Sequence, residues 1–538
     1  MAWTLSFVVA AVATILLYLY QSRPRIHRDG KSLRRPPNTL PVLGNALHFL
    51  KPRRELFSWF VRCQQIFGSE TFEISVPSLP PGVVINSPEN LDFVLKNEAS
   101  ISKGEFFRER SWDLFGYGII NSTGDLWKAQ RKAGLKFFGG ATLDSMVEDV
   151  LPEVYLSETG MRQQLLQAVK DNSVVDMQKL FLDLTTTVVG YMAYDMEISS
   201  THPFSKAFDH ASNQIGLRFQ NPLYKTTELF TGSAFRSSIA EVKRFGREIV
   251  RNARKRRAQA AFESLITQDD SDASSGGEGS RLENLIDSLM ETFENPTIVA
   301  DAALNFLSAG RDTTAQSLTW TLYALLRNPE ALPQLRREID PTFSRTGNGK
   351  ESKKNANDDT GPQITVSNLQ PLSLPHTLAV FHESLRLYPP VPIEIKQTLQ
   401  PLTLPDGTTL PTDAVVVWCI WALNRSEKTF GADAAFFRPE RWIDGQGKLL
   451  RRSEAEYPVF NGGPRACLGR KMAEVLACWV LGMVLVEFEF VEVGGLDGEP
   501  GEVGEESKGS GECVKERVSA NSLTLPMEGG LPCRVSLR

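Results

Sequence analysis

The residues from Phe460 to Gly469 read Phe-Asn-Gly-Gly-Pro-Arg-Ala-Cys-Leu-Gly and hold one cysteine, Cys467, in a stiff, glycine-lined loop. A cysteine thiolate is both a nucleophile and a metal ligand. Gly462, Gly463 and Gly469 can adopt positive φ and let the backbone lie against a flat ring system, while Pro464 narrows the loop's alternatives. Backbone N–H groups turned towards the sulfur would lower its basicity and tune a bound metal. Arg465 offers charge-assisted hydrogen bonds to an anionic arm of such a ring. Haem combines a flat ring, carboxylate arms and an axial metal position, and a thiolate on haem iron favours cleavage of a bound O–O bond. Taken alone, the loop would also suit an inert, buried cysteine.

Other clusters carry compatible chemistry. Ala309-Gly310-Arg311-Asp312-Thr313-Thr314 lies at the centre of a helix predicted over 301–325. Small Ala309 and Gly310 leave room beside the helix. A Thr hydroxyl that turns to its i−4 carbonyl can open the helix locally and hold a water, and Asp312 can pass a proton as a general acid. By itself this segment could equally be a glycine-weakened helix with a solvated Arg–Asp pair. Glu383 and Arg386 share one helical face, as do Trp127 and Arg131 at i and i+4. Such pairs are common on ordinary surface helices.

The elements that must position these residues are mostly helices joined by loops, with a strand-rich part near residues 69 to 86. Asp406-Gly407 between two β-prone runs predicts a hairpin. Polar, low-complexity stretches near 268–280, 345–363 and 494–511 are surface insertions. At 538 residues the chain can enclose a cofactor, and its 41% hydrophobic and 23% charged content is ordinary for a globular protein. The net charge of −5 gives no nucleic-acid signature, and the six cysteines form neither a C-x-x-C pair nor a disulfide framework. There is no Gly-rich phosphate loop opening a helix after a strand, so the chain carries no flavin or nicotinamide domain of its own.

Ala2 to Tyr20 is uncharged and apolar, giving about 28 Å of helix at 1.5 Å per residue, with Trp3, Tyr18 and Tyr20 suited to the membrane interfaces. Arg23, Arg25, Arg28, Lys31, Arg34 and Arg35 follow, which places the body on the cytoplasmic side. The domain division is therefore an anchor at 1–22, a basic and proline-rich linker at 23–45, and a catalytic domain at 46–538. A cleaved signal peptide would need a basic n-region and a small-residue cleavage site, and neither is evident.

The spacing Phe460-x-x-Gly463-x-Arg465-x-Cys467-x-Gly469 resembles the haem signature of cytochromes P450. So do Ala309 to Thr314, Glu383-Ser-Leu-Arg386 with the Phe437-Arg-Pro-Glu-Arg441-Trp loop, and Trp127-x-x-x-Arg131. The resemblance implies a mainly α fold with small β-sheets, with haem b between the long central helix and the Cys loop, preceded by a single transmembrane helix. It implies that Cys467 is the axial ligand, that Trp127, Arg131, Arg465 and Lys396 meet the propionates, and that Asp312 and Thr313 deliver protons. Glu383, Arg386 and Arg441 would form a buried network locking the Cys loop. The substrate pocket would draw on Phe106, Phe306, Ala309, Val391, Ile393 and Leu525, which suits an apolar substrate. The motifs look most like the fungal alkane- and fatty-acid-hydroxylating group, although a polyketide-like intermediate would fit equally well. NADPH would act through cytochrome P450 reductase, with cytochrome b5 as a second donor. Lys128, Lys132, Arg470 and Lys471 would form the docking face, at the endoplasmic reticulum membrane. The rival readings are a peroxygenase or hydroperoxide-rearranging enzyme and a non-catalytic haem carrier or sensor.

Overall fold

The computed structural model describes residues 26–77, 79–199, 201–268, 284–344, 364–493 and 517–538, with the backbone alone for 264–268. The expected anchor and nearly all of the three polar insertions lie outside these residues. Among the described residues, no helix is long and apolar enough to cross a membrane.

Ten helices position the site. They are α1 (Pro88–Lys96), α2 (Gly104–Phe115), α3 (Gly124–Phe137), α4 (Met177–Tyr194), α5 (Pro203–Gln220), α6 (Tyr224–Thr231), α7 (Ser233–Gln268), α8 (Pro296–Arg327), α9 (Pro375–Leu387) and α10 (Arg470–Glu487). Helix α8 is the predicted central helix, extended at both ends. The Asn295 side chain accepts from the Thr297 N–H at 2.9 Å and Pro296 fits the first turn, so the helix starts earlier than its apolar run suggests. It stops before Pro329. From Val299 to Leu325 it is buried on almost every face, as befits a helix through the middle of a large core. The Tyr194 hydroxyl of α4 donates to the Ala303 carbonyl at 2.7 Å, fixing one neighbour against it.

Helix α9 begins with Pro375, and the His376 and Thr377 N–H groups donate to the Glu338 carboxylate at 2.9 and 2.7 Å. That anion satisfies free donors at the positive end of the helix. Every residue from Thr377 to Leu387 is then buried.

The strands form three small sheets. One is four-stranded, in the order Lys31–Ser32, His27–Arg28, Thr408–Leu410, Leu402–Thr403. A five-stranded sheet runs Phe72–Ile74, Gly82–Val84, Val415–Trp418, Glu394–Thr398, Ile101–Ser102. A three-stranded sheet joins Phe488–Glu492, Pro532–Leu537 and Val174–Asp176. The strand-rich part and the hairpin, with Gly407 at φ 82°, are where the sequence puts them. The described part of the expected linker is built into the body. His27 and Arg28 pair with Thr409 and Thr408, Ile26 and Leu33 are buried, and Arg28, Arg34 and Arg35 each meet a carboxylate, of Asp406, Glu70 and Glu73. The basic run reads as a membrane-proximal linker until the partner strands bring acids to it.

Candidate active site

The Cys loop closes on itself, the Cys467 N–H donating to the Phe460 carbonyl at 2.8 Å and the Ala466 N–H to the Gly463 carbonyl at 3.1 Å. Its left-handed steps fall on Asn461 and Gly463, at φ 57° and 58°. Gly462 and Gly469 have negative φ, contrary to expectation, and Asn461 takes one of the positive-φ steps. At Gly463 glycine is required twice over, since a Cβ would lie 2.4 Å from the Leu95 carbonyl oxygen.

Cys467 is the one accessible cysteine among those described; Cys63, Cys419, Cys478 and Cys533 are buried. Its sulfur is reachable yet deeply ringed by protein, so burial still pushes the thiol up. The N–H groups of Gly469 and Arg470 and the charges of Arg131 and Arg470 pull the other way. The positive end of α10 starts at the same point.

Opposite lies α8. Ala309 is exposed and Gly310 and Thr313 are partly exposed, although the helix on either side is buried. The Thr313 hydroxyl donates to the Ala309 carbonyl at 2.6 Å, the expected i−4 bond. One edge of the site is formed where three elements meet. A Cβ on Gly134 of α3 would come 2.9 Å from Phe306 of α8 and 3.1 Å from Leu468 of the Cys loop.

The cations gather at another edge. The Arg465 guanidinium lies 4.3 Å from the Trp127 ring centre and that of Arg131 lies 5.6 Å from it. Arg131 donates to the Ala466 carbonyl at 2.9 Å and Arg465 to the Ser122 carbonyl at 2.9 Å. An acid absent from the sequence reading joins them. Glu98 accepts from Arg465 Nε at 2.7 Å and from Lys396 Nζ at 3.0 Å. Burial would raise its carboxyl, but Lys396 and Arg465 hold it below the ordinary range. No local pattern marks Glu98, since its partners are remote in sequence. Beside Arg465, Asn121 Nδ2 and Ser122 Oγ are buried without hydrogen-bond partners. An accessible cysteine, an accessible small-residue strip on α8, and cations flanked by unsatisfied polar atoms fit a haem with its carboxylate arms.

Asp312 departs from the solvent-facing position its role implies. It is buried and ion-paired with fully buried Arg311, whose Nη1 also donates to half-exposed Asp209 of α5 at 2.8 Å. Burial pushes the Asp312 carboxyl up to about 6 against the opposing pull of Arg311. Solvent therefore lies on the Asp209 side of this bridge.

Behind the loop, Glu383 accepts from Arg386 at 2.7 and 2.8 Å and from Arg441 at 3.0 Å, all three being buried. The structure adds members that the sequence does not flag. Trp442 Nε1 donates to Glu383 at 2.9 Å, Asp433 takes Arg441 at 3.1 Å, and the Tyr457 hydroxyl donates to the His382 carbonyl at 3.1 Å. The His382 ring stands 6.3 Å from that of Phe460, which links the network to the Cys loop.

The six expected pocket residues divide. Ala309, Val391 and Ile393 keep accessible surface, and Phe106 and Phe306 are just buried. Leu525 is fully buried in the core around Trp320, whose indole donates to the Leu525 carbonyl at 2.8 Å; that bond draws it under α8 and away from an accessible wall. Lys128, Lys132, Arg470 and Lys471 are exposed, with Lys128 paired to Asp125 and Arg470 to Glu474.

Comparison with known proteins agrees with this geometry. The cytochrome P450 family profile matches residues 35–501. The chain is 30% identical to cytochrome P450 monooxygenase cyp1 of Mycosarcoma maydis, over 93% of this chain and 75% of that protein. It is 27% identical to cytochrome P450 94A1 of Vicia sativa, over 93% and 90%, and 29% identical to cytochrome P450 704B1 of Arabidopsis thaliana, over 88% and 93%. With an accessible cysteine in a closed glycine-rich loop, and a family match across most of its length, this chain belongs to the cytochrome P450 family, the haem-thiolate monooxygenases.

Proposed function

We propose that this protein inserts one atom of O2 into a C–H bond of an apolar substrate such as a fatty acid, alkane or similar lipid-like molecule. NADPH supplies the electrons through a separate reductase. Residues 1–22 tether the chain to the endoplasmic reticulum membrane, with the body cytoplasmic. The observation that carries the reading is accessible Cys467 in its closed loop, whose Leu468 meets Phe306 of α8 at Gly134, together with the accessible Ala309–Thr313 strip of that otherwise buried helix.

Haem held by Cys467 supplies the oxygen-activating chemistry. The rest of the work falls to the chain. Trp127, Arg131, Arg465 and Lys396 take the carboxylate arms, the last two sharing Glu98. Thr313, whose hydroxyl bonds Ala309 in the i−4 manner, can hold a water at this turn. Asp312, kept partly protonated by burial, passes protons inward from the Asp209 side. Phe106, Phe306, Val391 and Ile393 supply apolar wall.

The test is turnover of the purified protein with reductase and NADPH on a lipid panel under heavy-isotope O2, read by mass spectrometry. One labelled oxygen atom per product is expected. Turnover of lipid hydroperoxides without reductase would sink this reading in favour of a peroxide-using enzyme. Absence of any NADPH-dependent product would favour a haem carrier.

A further inference from the structure

Helix α8 buries two polar side chains one turn apart on the stretch that precedes Ala309. Asp301 is 4% exposed and Asn305 is fully buried, among Ala303, Leu304 and Leu307. Both reach the loop after α2. Asp301 accepts the Tyr117 N–H at 3.0 Å and pairs with Lys243 of α7 at 2.7 Å. Asn305 accepts the Ile120 N–H at 3.2 Å and donates to the Phe115 carbonyl at 3.0 Å. The loop is moulded to these two side chains. A Cβ on Gly116 would overlap the Asp301 carboxylate, and one on Gly118 would overlap the Asn305 amide.

The same loop is also held from other directions. Gln130 of α3 donates to the Tyr117 carbonyl at 2.8 Å, and Arg465 of the Cys loop donates to the carbonyls of Ile119 at 3.4 Å and Ser122 at 2.9 Å. Burying a carboxylate and an amide in a helix core is costly unless each is bonded, and a loop that merely connects two helices can leave its amides in water. Between the bonds sit Ile119 and Ile120. Both keep accessible surface and pack against the core that contains Phe306 and Leu307. Asn305, which holds Ile120, directly precedes Phe306 and lies one turn before accessible Ala309. The two isoleucines are therefore a fixed apolar wall close to the accessible strip of α8.

An alkyl chain offers many C–H bonds of nearly equal strength, so the carbon that reacts is decided by its position. A wall held from three elements imposes one position, whereas a free loop averages over several. We infer that Asp301 and Asn305 are positioning residues that determine which carbon of the substrate is oxidised, by fixing Ile119 and Ile120 as a rigid stop. They act through the loop rather than on the substrate itself. This rests on the monooxygenase reading and adds regioselectivity to it.

The experiment uses the haem-loaded protein and joins two measurements. One is hydrogen exchange of the 116–122 peptide; the other is the position of the hydroxyl group formed on dodecane, 1-dodecanol and dodecanoate with reductase and NADPH. In wild type the peptide should exchange slowly and one regioisomer should dominate. In Asn305→Ala, and separately in Gly118→Ala, exchange of that peptide should quicken roughly tenfold, with other peptides unchanged. The ratio of the main regioisomer to its neighbours should fall roughly fivefold to tenfold, the scale of one lost hydrogen bond. The double variant should be no worse than Asn305→Ala alone, because the side chain that the added Cβ would strike is gone. Asp301→Asn keeps an acceptor for Tyr117 but loses the ion pair, and should lie between wild type and Asn305→Ala. A wild-type product ratio in variants whose loop exchanges faster overturns the inference. So does free exchange of the loop in wild type, or additive losses in the double variant. If Asn305→Ala does not fold, Gly118→Ala and Asp301→Asn decide. Wild type that shows the thiolate band with carbon monoxide but forms no NADPH-dependent product from any of the three probes removes the monooxygenase reading and the inference with it; product at an unchanged ratio removes the positioning role alone.

Discussion

The Nε of Arg465 donates to the Glu98 carboxylate at 2.7 Å, and Lys396 reaches the same carboxylate from a distant strand. Two cations assigned to the haem arms are thus held by one internal acid. Replacing Glu98 with Gln removes a negative charge next to both. Added positive character favours the reduced iron, so the midpoint potential should rise by some tens of millivolts, about 59 mV marking a tenfold change for one electron. A redox titration of Glu98→Gln against wild type checks this, and an unchanged or lowered potential would count against the placement of the arms beside these residues.

Glu383 is fully buried and receives Arg386, Arg441 and Trp442. Glu383→Ala leaves two buried guanidinium groups without their anion, a loss of about 3–5 kcal/mol. The expected outcome is protein with little haem and no thiolate band with carbon monoxide. Full haem content at wild-type stability would show that the network does not hold the loop.

Gly463 combines φ 58° with a Cβ position 2.4 Å from the Leu95 carbonyl oxygen. Gly463→Ala therefore strains the backbone and displaces α1, at a cost of roughly 1–3 kcal/mol for the conformation alone. Gly469→Ala, at negative φ with its nearest new neighbour at 3.5 Å, should be far milder. Comparison of melting temperatures and haem retention in the two variants tests the ranking.

Burial pushes the Asp312 carboxyl up to about 6, so the folded chain keeps a proton that the unfolded chain releases. A raised value favours the fold at low pH, and that contribution is lost as pH rises from about 4 to about 6. The melting temperature of Asp312→Asn relative to wild type should therefore climb across this window and level off above it. NADPH-dependent product formation should fall about a hundredfold, the scale of a positioned proton donor. A flat difference across the window would mean that Asp312 is not held protonated by its surroundings.

Much of the site is legible in the linear chain because its parts are local. The turn at Gly463, the i−4 bond of Thr313, and the Glu383–Arg386 face each follow from residues a few positions apart. What escapes is long-range pairing. Glu98 carries no mark of its two partners, Trp442 and Tyr457 carry none of their bonds to Glu383 and the His382 carbonyl, and Arg28, Arg34 and Arg35 read as a membrane-proximal run until strands bring Asp406, Glu70 and Glu73 beside them. Leu525 reads as pocket wall and is held in the core by bonds to Trp320 and Gln316 of α8.

The sequence by itself determined the family, the thiolate candidate and the residue types that handle oxygen, because glycine spacing and helical periodicity act within a turn or two of backbone. Tertiary structure alone decided which charges are compensated. It closed Arg218 with two acids and gave Lys396 and Arg465 a common anion. The physical reason is that the cost of a buried charge depends on what the fold packs around it, and the linear chain does not list those neighbours.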